Sequence, residues 1–426
     1  MRSREYRSSS ENKMRSSVSP ETSTVLSTSP DAASAGTPPA RIAVLCDFSE
    51  ECWPSMDLVG DMLSRHLASD FSQECQVTQV RPPLRRRLTR LPLFNPQLAL
   101  NADRLMNRLV DYPAWIRARR DDFDVFHVVD HSYSQLVRAL PPGRAVVTCH
   151  DLDTFRCVLE PERDPRPAWF RAMTARILDG FRRAAHVLTV SQATREELLH
   201  YGLFPAERIS VVPNGVHPAC SPNPDPVADR AADELFKGFG DNPRGTPWLL
   251  SVGSTLPRKR LDILVRAFAA VHRQMPEVRL VRVGGLTSAQ LQLAADLNVK
   301  DSILCLPYLE RDVLASIYRR SALLLHTADA EGFGLPLVEA MACGCPVVAS
   351  DIPVLREVGG APAEYCRVAD VDCWEQTVAG LLRERLQNPA GWALRRDAGM
   401  ARAARFSWAE NARQTACIYR SVLELR

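Results

Sequence analysis

The sequence predicts an α/β protein made of two similar, doubly wound domains, each built on a parallel sheet. Along most of its 426 residues, short apolar runs of strand length alternate with stretches of helical period. The alternation begins at Arg41, stops in a proline-rich segment at 219–247 and restarts at Trp248. No apolar stretch approaches the ~18 residues that a membrane span needs. Strands that alternate with helices indicate parallel sheets covered by helices on both faces.

The first domain is predicted over residues 41–218. We expect its strands at 42–46, 125–129, 145–149, 187–190 and 209–212, and its helices at 56–67, 98–119, 169–183 and 193–201. Residues 1–40 are rich in Ser, Thr, Pro and Arg and nearly free of large apolar side chains. Because such a segment buries too little apolar surface to offset its ordering entropy, it is predicted to be a disordered tail.

The second domain is predicted over residues 248–405. We expect its strands at 248–253, 278–284, 303–306, 322–326, 346–349 and 364–368, and its helices at 261–274, 288–297, 311–320, 335–342 and 373–387. Residues 219–247 are interpreted as a linker with a loose helix at 228–236. A final helix within 406–426 is expected to return to the first domain. Open parallel sheets bind ligands beyond the carboxyl ends of their strands, so two facing sheets predict a cleft with the chemistry on post-strand loops.

Composition excludes several classes of protein. The chain has 53 basic and 50 acidic residues, a formal net charge of +3, which does not favour nucleic acid as a partner. Its 12 cysteines are scattered, and Cys343 and Cys345 are the only close pair. Two sulfurs alone make a poor zinc site, so no metal is predicted. Reduced thiols indicate a cytoplasmic protein.

The strongest motif runs from Glu331 to Glu339, with the sequence EGFGLPLVE, and follows a predicted strand. Gly332 and Gly334 permit positive φ and close backbone approach. The helix that begins near Leu335 offers unpaired N–H groups and the positive end of its dipole, which suits an anion. Carboxylates beside that seat accept hydrogen bonds from hydroxyl groups. The pattern therefore favours a ligand that carries both phosphate and sugar.

Two further motifs follow predicted strands. In the segment VGSTLPRKRLD, Arg258, Lys259 and Arg260 are consecutive cations at a strand–helix junction. Each such contact with a diphosphate is worth about 4 kcal/mol at ~4 Å and an effective dielectric of ~20, before desolvation. In the first domain, TCHDL places His150 directly after a strand, on the opposite side of the expected cleft. His131 also follows a strand, and a structural role is as good an interpretation there.

These motifs together resemble the retaining glycosyltransferases of family 4, which have the GT-B fold. EGFGLPxxE and the following EAMACGCPVV are similar to the family's Glu-x7-Glu motif, and VGxxxPxKxxD and HD are similar to two more of its segments. The resemblance covers roughly residues 41–426. It implies two Rossmann-like domains facing each other across a cleft.

The resemblance also implies a function: transfer of a sugar from a nucleotide-diphosphate sugar to an acceptor hydroxyl in glycan or polysaccharide biosynthesis, with retention, without metal and without a cofactor. The acceptor, a glycan or a lipid-linked molecule, would bind the first domain. The catalytic residues implied are His150 and Glu331. The donor-binding residues implied are Ser254, Arg258, Lys259, Phe333, Gly334, Leu335 and Glu339.

The sequence departs from the family in two places. Ser254 stands where the family usually has Arg, and the loop after the first strand, around Trp53, lacks the usual Gly-Gly pair. These departures leave open a non-catalytic GT-B scaffold or binding subunit. A nucleotide-sugar 2-epimerase, which shares the architecture, is a second alternative, although it is not expected to carry the Glu-x7-Glu pattern.

Residues 81–94 interleave five arginines with five large apolar residues. Such a segment suits the surface of an anionic bilayer, where each cation is worth ~1 kcal/mol. It predicts a peripheral position at the inner membrane face. A solvated loop whose leucines pack inward is the alternative.

Overall fold

The computed structural model describes residues 38–51, 53–91, 95–237, 239 and 247–424. The predicted disordered tail lies outside these residues except for its last three positions, and Ala40 already belongs to the first strand. Residues 92–94 of the basic–apolar segment and the last two residues of the chain also lie outside.

The first domain contains a six-stranded parallel sheet in the order β2-β1-β3-β4-β5-β6. Its strands are β1 Ala40–Leu45, β2 Cys75–Val80, β3 Val125–Val128, β4 Ala145–Cys149, β5 His186–Thr189 and β6 Ile209–Val211. The sequence analysis does not predict β2, because only its end residues, Cys75 and Val80, are buried. This is an edge strand in which the polar residues Gln76, Thr78 and Gln79 interrupt the apolar pattern.

The second domain contains a second six-stranded parallel sheet, in the order β12-β11-β10-β7-β8-β9. Its strands are β7 Trp248–Val252, β8 Arg279–Val283, β9 Ile303–Leu306, β10 Leu323–His326, β11 Val347–Ser350 and β12 Glu364–Cys366. All six were expected from the sequence. The predicted α/β class with two doubly wound domains is confirmed.

Helices cover both faces of each sheet. Those of the first half are α1 Pro54–Asp70, α2 Pro96–Met106, α3 Tyr112–Arg117, α4 Arg156–Leu159, α5 Ala168–Arg182, α6 Gln192–His200 and α7 Pro226–Phe236. Those of the second half are α8 Leu261–Gln274, α9 Ser288–Asp296, α10 Arg311–Arg320, α11 Leu335–Ala342, α12 Pro353–Gly359, α13 Val371–Gln387, α14 Pro389–Ala403 and α15 Trp408–Glu424. A π-helical turn, Asn107–Asp111, joins α2 to α3 where one long helix was expected. Among the described residues, no helix is long and apolar enough to span a bilayer.

Part of the expected linker is fixed to the second domain. Helix α7 packs on α10, where Asp229 pairs with Arg319 at 2.9 Å and accepts a hydrogen bond from Ser316 at 2.5 Å. At the end of α7, Phe236 stacks on Trp248 with 4.0 Å between ring centroids. Residues 226–236 are therefore a packed element of the second domain rather than a loose helix in a linker.

Helix α15 lies on the first domain, against α1. Tyr419 and the Nδ1 atom of His127 are hydrogen-bonded at 2.6 Å, and burial lowers the pKa of His127 to about 3. The chain passes between the domains at two adjacent places, since the N–H of Val216 donates to the carbonyl of Phe406 at 3.1 Å. A Cβ on Gly215 would lie 2.3 Å from the nitrogen of Trp408, so glycine is required at this crossing.

Candidate functional site

The loops that follow β4 in the first domain and β10 in the second domain are in direct contact. A Cβ built on Gly332 would lie only 1.8 Å from the backbone oxygen of His150, so the approach requires glycine. The structure thus brings the His150 motif and the Glu331 motif together where the carboxyl ends of the two sheets face each other.

Helix α11 begins at the predicted anion seat. Gly334 precedes it with a left-handed φ of 89°. Pro336 has no N–H and the N–H of Leu337 donates to the carbonyl of Gly334 at 2.9 Å, so among the first three helical positions only the N–H of Leu335 has no backbone acceptor in the described residues. Phe333 is buried and packs edge-on against Phe406 with 5.5 Å between ring centroids, and Leu335 is half-buried against both domains' cores. Phe333 and Leu335 were both predicted to bind the donor. Because their side chains are packed, only their backbone groups are available at the start of α11.

Glu331 is surrounded by three positively polarised groups. Its carboxylate accepts hydrogen bonds from Lys259 at 2.5 Å, from Arg258 at 3.0 Å and from the Nε2 atom of His326 at 3.0 Å. Burial raises the pKa of Glu331, but the charge of Lys259 and the hydrogen bond from His326 outweigh it and hold the pKa well below its usual range. Glu331 is therefore a buried carboxylate, and it is the counter-ion of the two predicted phosphate-binding cations.

Arg258 joins the two domains. Besides Glu331, its guanidinium pairs with Asp153 at 2.7 Å and with Asp151 at 3.4 Å, both on the first domain. Burial, followed by the charge of Asp151, raises the pKa of Asp153. Arg260 does not contact Glu331 in the described structure but pairs with Asp262 at 3.0 Å and with Asp329, on the loop after β10, at 3.7 Å. Of the motif's three cations, two thus pair with Glu331, and the third pairs with Asp262 and Asp329.

Glu339 is buried in the second domain and accepts a hydrogen bond from the hydroxyl of Tyr318 at 3.0 Å. Burial raises the pKa of this carboxyl group. Tyr318 was missed by the sequence analysis, because it lies in the last turn of α10 with no motif around it. The pair offers carboxyl oxygens and a phenol one turn behind the anion seat.

His150 is buried and bonds through Nε2 to the backbone oxygen of Val129 at 2.9 Å, which requires the proton on Nε2. Burial lowers the pKa of His150, so the ring is neutral at pH 7. His131 lies beside it, with 6.4 Å between ring centroids, and its Nδ1 atom lies 3.3 Å from Asp130. Both predicted histidines thus stand at the carboxyl edge of the first sheet.

Asp47 is a further acidic residue at this edge that the sequence analysis missed. It follows β1, is 4% exposed, and has its pKa raised well above the usual value by burial and by the charge of Asp130. A single aspartate after a strand is not recognisable as a site residue. Its neighbour Asp130 is 83 positions away in the chain, and only the fold brings the two together.

A small cavity opens on the second domain beside Lys259. Its lining includes Ser251, Ser254, Arg282, His326 and Thr327. Of these residues, only Ser254 was predicted at the site. Arg282 and His326 were missed, because each belongs to a predicted strand and to no motif of a following loop.

A larger cavity, about 300 Å³, lies in the first domain. Trp53, which is 46% exposed, stands at its wall together with Arg104, Arg108 and Gln135, and Met173 and Ile177 supply apolar surface. The neighbouring loop contacts the second domain, since Arg311 donates to the backbone oxygen of Pro54 at 2.8 Å.

The basic–apolar segment is an ordered loop over its described part. Asp103 is buried and accepts from the N–H groups of Arg87, Leu88 and Thr89, which, against the effect of burial, lower its pKa to about 2. Arg87 also pairs with Asp111 at 2.7 Å. Arg85, Arg86 and Arg90 are exposed. Contact with a membrane stays a prediction.

The described residues contain no group of three or more His, Cys, Asp and Glu side chains arranged to hold a metal ion.

Two known protein families match this chain. The family described as Glycosyltransferase Family 4 matches residues 62–219, and the family described as Glycosyl transferases group 1 matches residues 234–372. The two matches follow each other in chain order and fall on the first and second domains.

Curated relatives are glycosyltransferases. O-antigen chain mannosyltransferase B of Escherichia coli is 28% identical over 281 residues, 65% of this chain and 70% of that protein. A D-inositol 3-phosphate glycosyltransferase of Kineococcus radiotolerans is 32% identical over 57% of this chain and 58% of its own length. The O-antigen chain mannosyltransferase RfbU of Salmonella typhimurium is 26% identical over 55% and 60%. The matches thus span less than two thirds of the latter two relatives.

Solved structures share the fold. Sucrose-phosphate synthase from Thermosynechococcus elongatus superposes with a TM-score of 0.68 at 20% identity, over 91% of this chain and 100% of that one. HepE of Anabaena, solved in complex with UDP and glucose, superposes with a TM-score of 0.64 at 18% identity, over 90% and 100%. WaaG, a glycosyltransferase involved in lipopolysaccharide biosynthesis, gives 0.63 at 16% identity, over 89% and 99%.

The family matches and the curated relatives together support a glycosyltransferase function in glycan biosynthesis. The resemblance stated from the motifs is confirmed, as is the GT-B architecture. The chain belongs to the group 1 glycosyltransferases of the family 4 type, with the GT-B fold.

Proposed function

We propose that this protein is a retaining glycosyltransferase that moves a sugar from a nucleotide-diphosphate sugar to an acceptor hydroxyl. The observation that carries the proposal is the cluster in which Lys259 and Arg258 meet Glu331 beside the start of α11. Two cations, a helix N-terminus and a buried carboxylate lie at the contact between the two domains. This combination suits a ligand with a diphosphate at one end and sugar hydroxyls at the other.

The donor diphosphate binds between Lys259 and the N–H of Leu335 at the start of α11. Among the described residues, Lys259 has one carboxylate partner, Glu331, so a phosphate oxygen replaces or shares that partner. Charge-assisted hydrogen bonds to phosphate are short and strong, and the helix dipole adds to them. The cationic groups then stabilise the departing nucleoside diphosphate without a metal ion.

The remaining groups of the site hold the two sugars of the donor. Glu339, supported by Tyr318, accepts hydrogen bonds from the ribose hydroxyls. Glu331 accepts hydrogen bonds from hydroxyls of the transferred sugar, and His150 contacts that sugar near its reacting carbon. The neutral ring of His150 suits contact with an uncharged sugar.

The acceptor binds the first domain, and its hydroxyl attacks from the face of the leaving group, which keeps the anomeric configuration. The cavity beside Trp53 and Arg104 offers an indole face for a sugar ring and polar groups for its hydroxyls. We include a glycan or lipid-linked acceptor in the proposal, with residues 81–94 at an anionic membrane surface.

A ligand screen tests the proposal. UDP, GDP, ADP, TDP and their sugars are added in thermal-shift assays, where a ligand at about 100 times its Kd adds ~2.7 kcal/mol of stability. The selected sugar nucleotide is then incubated with candidate glycan acceptors in excess EDTA, and the anomeric configuration of the product is determined by NMR. We expect transfer with retention, and chelation should not reduce it.

Three results would contradict the proposal. Loss of transfer in EDTA with recovery in Mg²⁺ or Mn²⁺ would overturn the metal-free mechanism. An epimerised nucleotide sugar formed without acceptor would identify a 2-epimerase. Binding of no nucleotide by the folded protein would favour a non-catalytic scaffold.

A further inference from the structure

Arg282 is a buried cation without a counter-ion. Its side chain lies on β8 and is 1% exposed. In the described part of the chain no carboxylate lies within ion-pair distance of it. Burial lowers its pKa to about 10, so it is charged at pH 7. A buried charge without a partner is costly, so its retention calls for a specific explanation.

All of the hydrogen bonds of Arg282 go to backbone oxygens. Its guanidinium donates to Gly253 at 2.6 Å, Ser254 at 3.0 Å, Val283 at 2.6 Å and Ser251 at 3.3 Å. Three of these four oxygens belong to the end of β7 or to the loop that follows it. Arg282 therefore fixes the loop that leads to Lys259.

The fixed loop turns its N–H groups away from Arg282. In a trans peptide, C=O and N–H point in opposite directions, and the described chain has no cis peptide. Because Arg282 holds the oxygens of Gly253 and Ser254, the N–H groups of Ser254 and Thr255 face the other way. Neither N–H has a backbone acceptor among the described residues. Successive free N–H groups form a concavity that binds anions.

The positive charge of Arg282 also lies beside the cavity in which we place the anion. Arg282 lines the same cavity as Lys259 and Ser254. His326, on the same wall, has its pKa lowered by burial and adds no charge at pH 7. Since Lys259 is paired with Glu331, the charge of Arg282 is the one at this cavity that the described residues leave unbalanced.

We propose that Arg282 is a positioning residue for the donor's diphosphate: its buried charge and its hold on two loop oxygens present the N–H groups of Ser254 and Thr255 to the phosphates. The inference rests on the proposed function. It goes beyond that function because it assigns the diphosphate site a positive charge in addition to Lys259. This charge comes from Arg282 on β8, beneath a loop in which residue 254 is an uncharged serine.

The test compares ligands that differ only in phosphate number. Dissociation constants are measured by calorimetry for a nucleoside, its monophosphate and its diphosphate, using the base that the wild type prefers, and for inorganic pyrophosphate. The variants are Arg282→Met, which removes the charge, and Arg282→Lys, which keeps the charge but has fewer donors. Arg279→Met is the matched control, because Arg279 begins the same strand at its far end.

For Arg282→Met we expect diphosphate affinity to fall about 10-fold or more, the scale of one charge-assisted interaction, with a smaller fall for the monophosphate and none for the nucleoside. Arg282→Lys should restore part of the loss, and Arg279→Met should match the wild type. If Arg282→Met does not fold, Arg282→Lys carries the test, with an expected loss of about threefold confined to phosphorylated ligands.

A purely structural arginine gives a different result, namely a lower melting temperature with equal effects on nucleoside and diphosphate. That result, or unchanged diphosphate affinity in Arg282→Met, would overturn the inference while the proposed function stands, provided that the wild type binds a nucleoside diphosphate. A wild type that binds neither nucleoside diphosphate nor pyrophosphate would overturn both.

Discussion

The carboxyl edges of the two sheets have the same topology and opposite chemistry. At the edge of the second sheet, Lys259 and Arg258 pair with one carboxylate, Glu331, and Arg282 adds positive charge at the cavity beside Lys259. At the edge of the first sheet, Asp47 and Asp130 lie together. One fold, used twice, thus forms a cationic half suited to a diphosphate and an acidic half suited to hydroxyl groups.

The two edges are also linked in the structure without ligand. Arg258 pairs with Asp151 and Asp153 across the cleft while it holds Glu331. A cation shared in this way is available to a phosphate only when part of its pairing is given up. We therefore make separate predictions for the cationic edge of the second sheet, for the first domain and for the contact between the two edges.

The largest effect is expected from Lys259→Ala. Removing one preorganised charge-stabilising group costs a factor of ~10²–10³ in the rate of transfer, and binding of the diphosphate product should weaken as well. Steady-state kinetics and calorimetry measure both quantities. Lys300→Ala, at an exposed lysine of the same domain, is the control. Kinetics equal to the wild type would move the diphosphate role to Arg258.

Glu331→Gln should lower the rate of transfer strongly without weakening the binding of nucleoside diphosphate. The amide has no charge to balance Lys259 and Arg258, so these cations become more available to phosphate. Glu375→Gln, at a partly exposed position of α13 where the side chain accepts a hydrogen bond from Gln274, serves as the matched control. Equal losses in rate and in diphosphate affinity would show that Glu331 does not face the transferred sugar.

Reversing the charges of Arg85, Arg86 and Arg90 should release the first domain from anionic vesicles. At ~1 kcal/mol for each cation, the loss is on the order of 100-fold in the partition coefficient. Arg87 is spared, because its pair with Asp111 is the shorter one, 2.7 Å against 3.6 Å for the more exposed Arg85. Sedimentation at low and high salt is the measurement, since high salt screens the same attraction.

The control for the vesicle experiment reverses Arg266, Arg367 and Arg383, three exposed arginines of the second domain. If the wild type does not bind vesicles at low salt, residues 81–94 are an ordinary surface loop. Equal release by the control would show that net charge, and not this loop, attracts the protein.

The smallest effect is expected from Asp153→Asn, which frees Arg258 from one partner in the first domain. Partly exposed pairs are worth ~0.2–1 kcal/mol, so diphosphate affinity should rise up to about fivefold. Asp164→Asn, which breaks a pair with Arg166 away from the cleft, should change nothing. A lower affinity in Asp153→Asn would mean that the contact between the edges helps donor binding.

The sequence predicts most of the fold because buried parallel strands are continuous apolar runs. Eleven of the twelve strands were predicted, most of them from such runs, although β12 (EYC) is not one; β2 was missed as an edge strand with two buried positions. Helices α12 and α14 were also missed, and each begins at a proline, Pro353 and Pro389. These failures come from elements whose stability depends on neighbours rather than on their own pattern.

The site is predicted only where its residues are local in sequence. Glu331, Lys259 and His150 lie in motifs that follow strands, and the structure brings those motifs together at the cleft. Arg282 and Tyr318 belong to no such motif. Arg282 lies within the strand β8, and Tyr318 lies within the helix α10. Pairs of residues that only the tertiary fold brings together, such as Arg258 and Asp153, cannot be recognised from the sequence around either residue.

The central claim is that the cationic edge of the second domain holds the donor diphosphate, and a crystal structure with the nucleoside diphosphate selected by the ligand screen tests it most directly. We expect a phosphate oxygen within hydrogen-bonding distance of the Nζ atom of Lys259 and of the N–H of Leu335 at the start of α11, with the 2.5 Å contact between Lys259 and Glu331 opened or shared. A diphosphate bound at the first domain, with that contact unchanged, would contradict it.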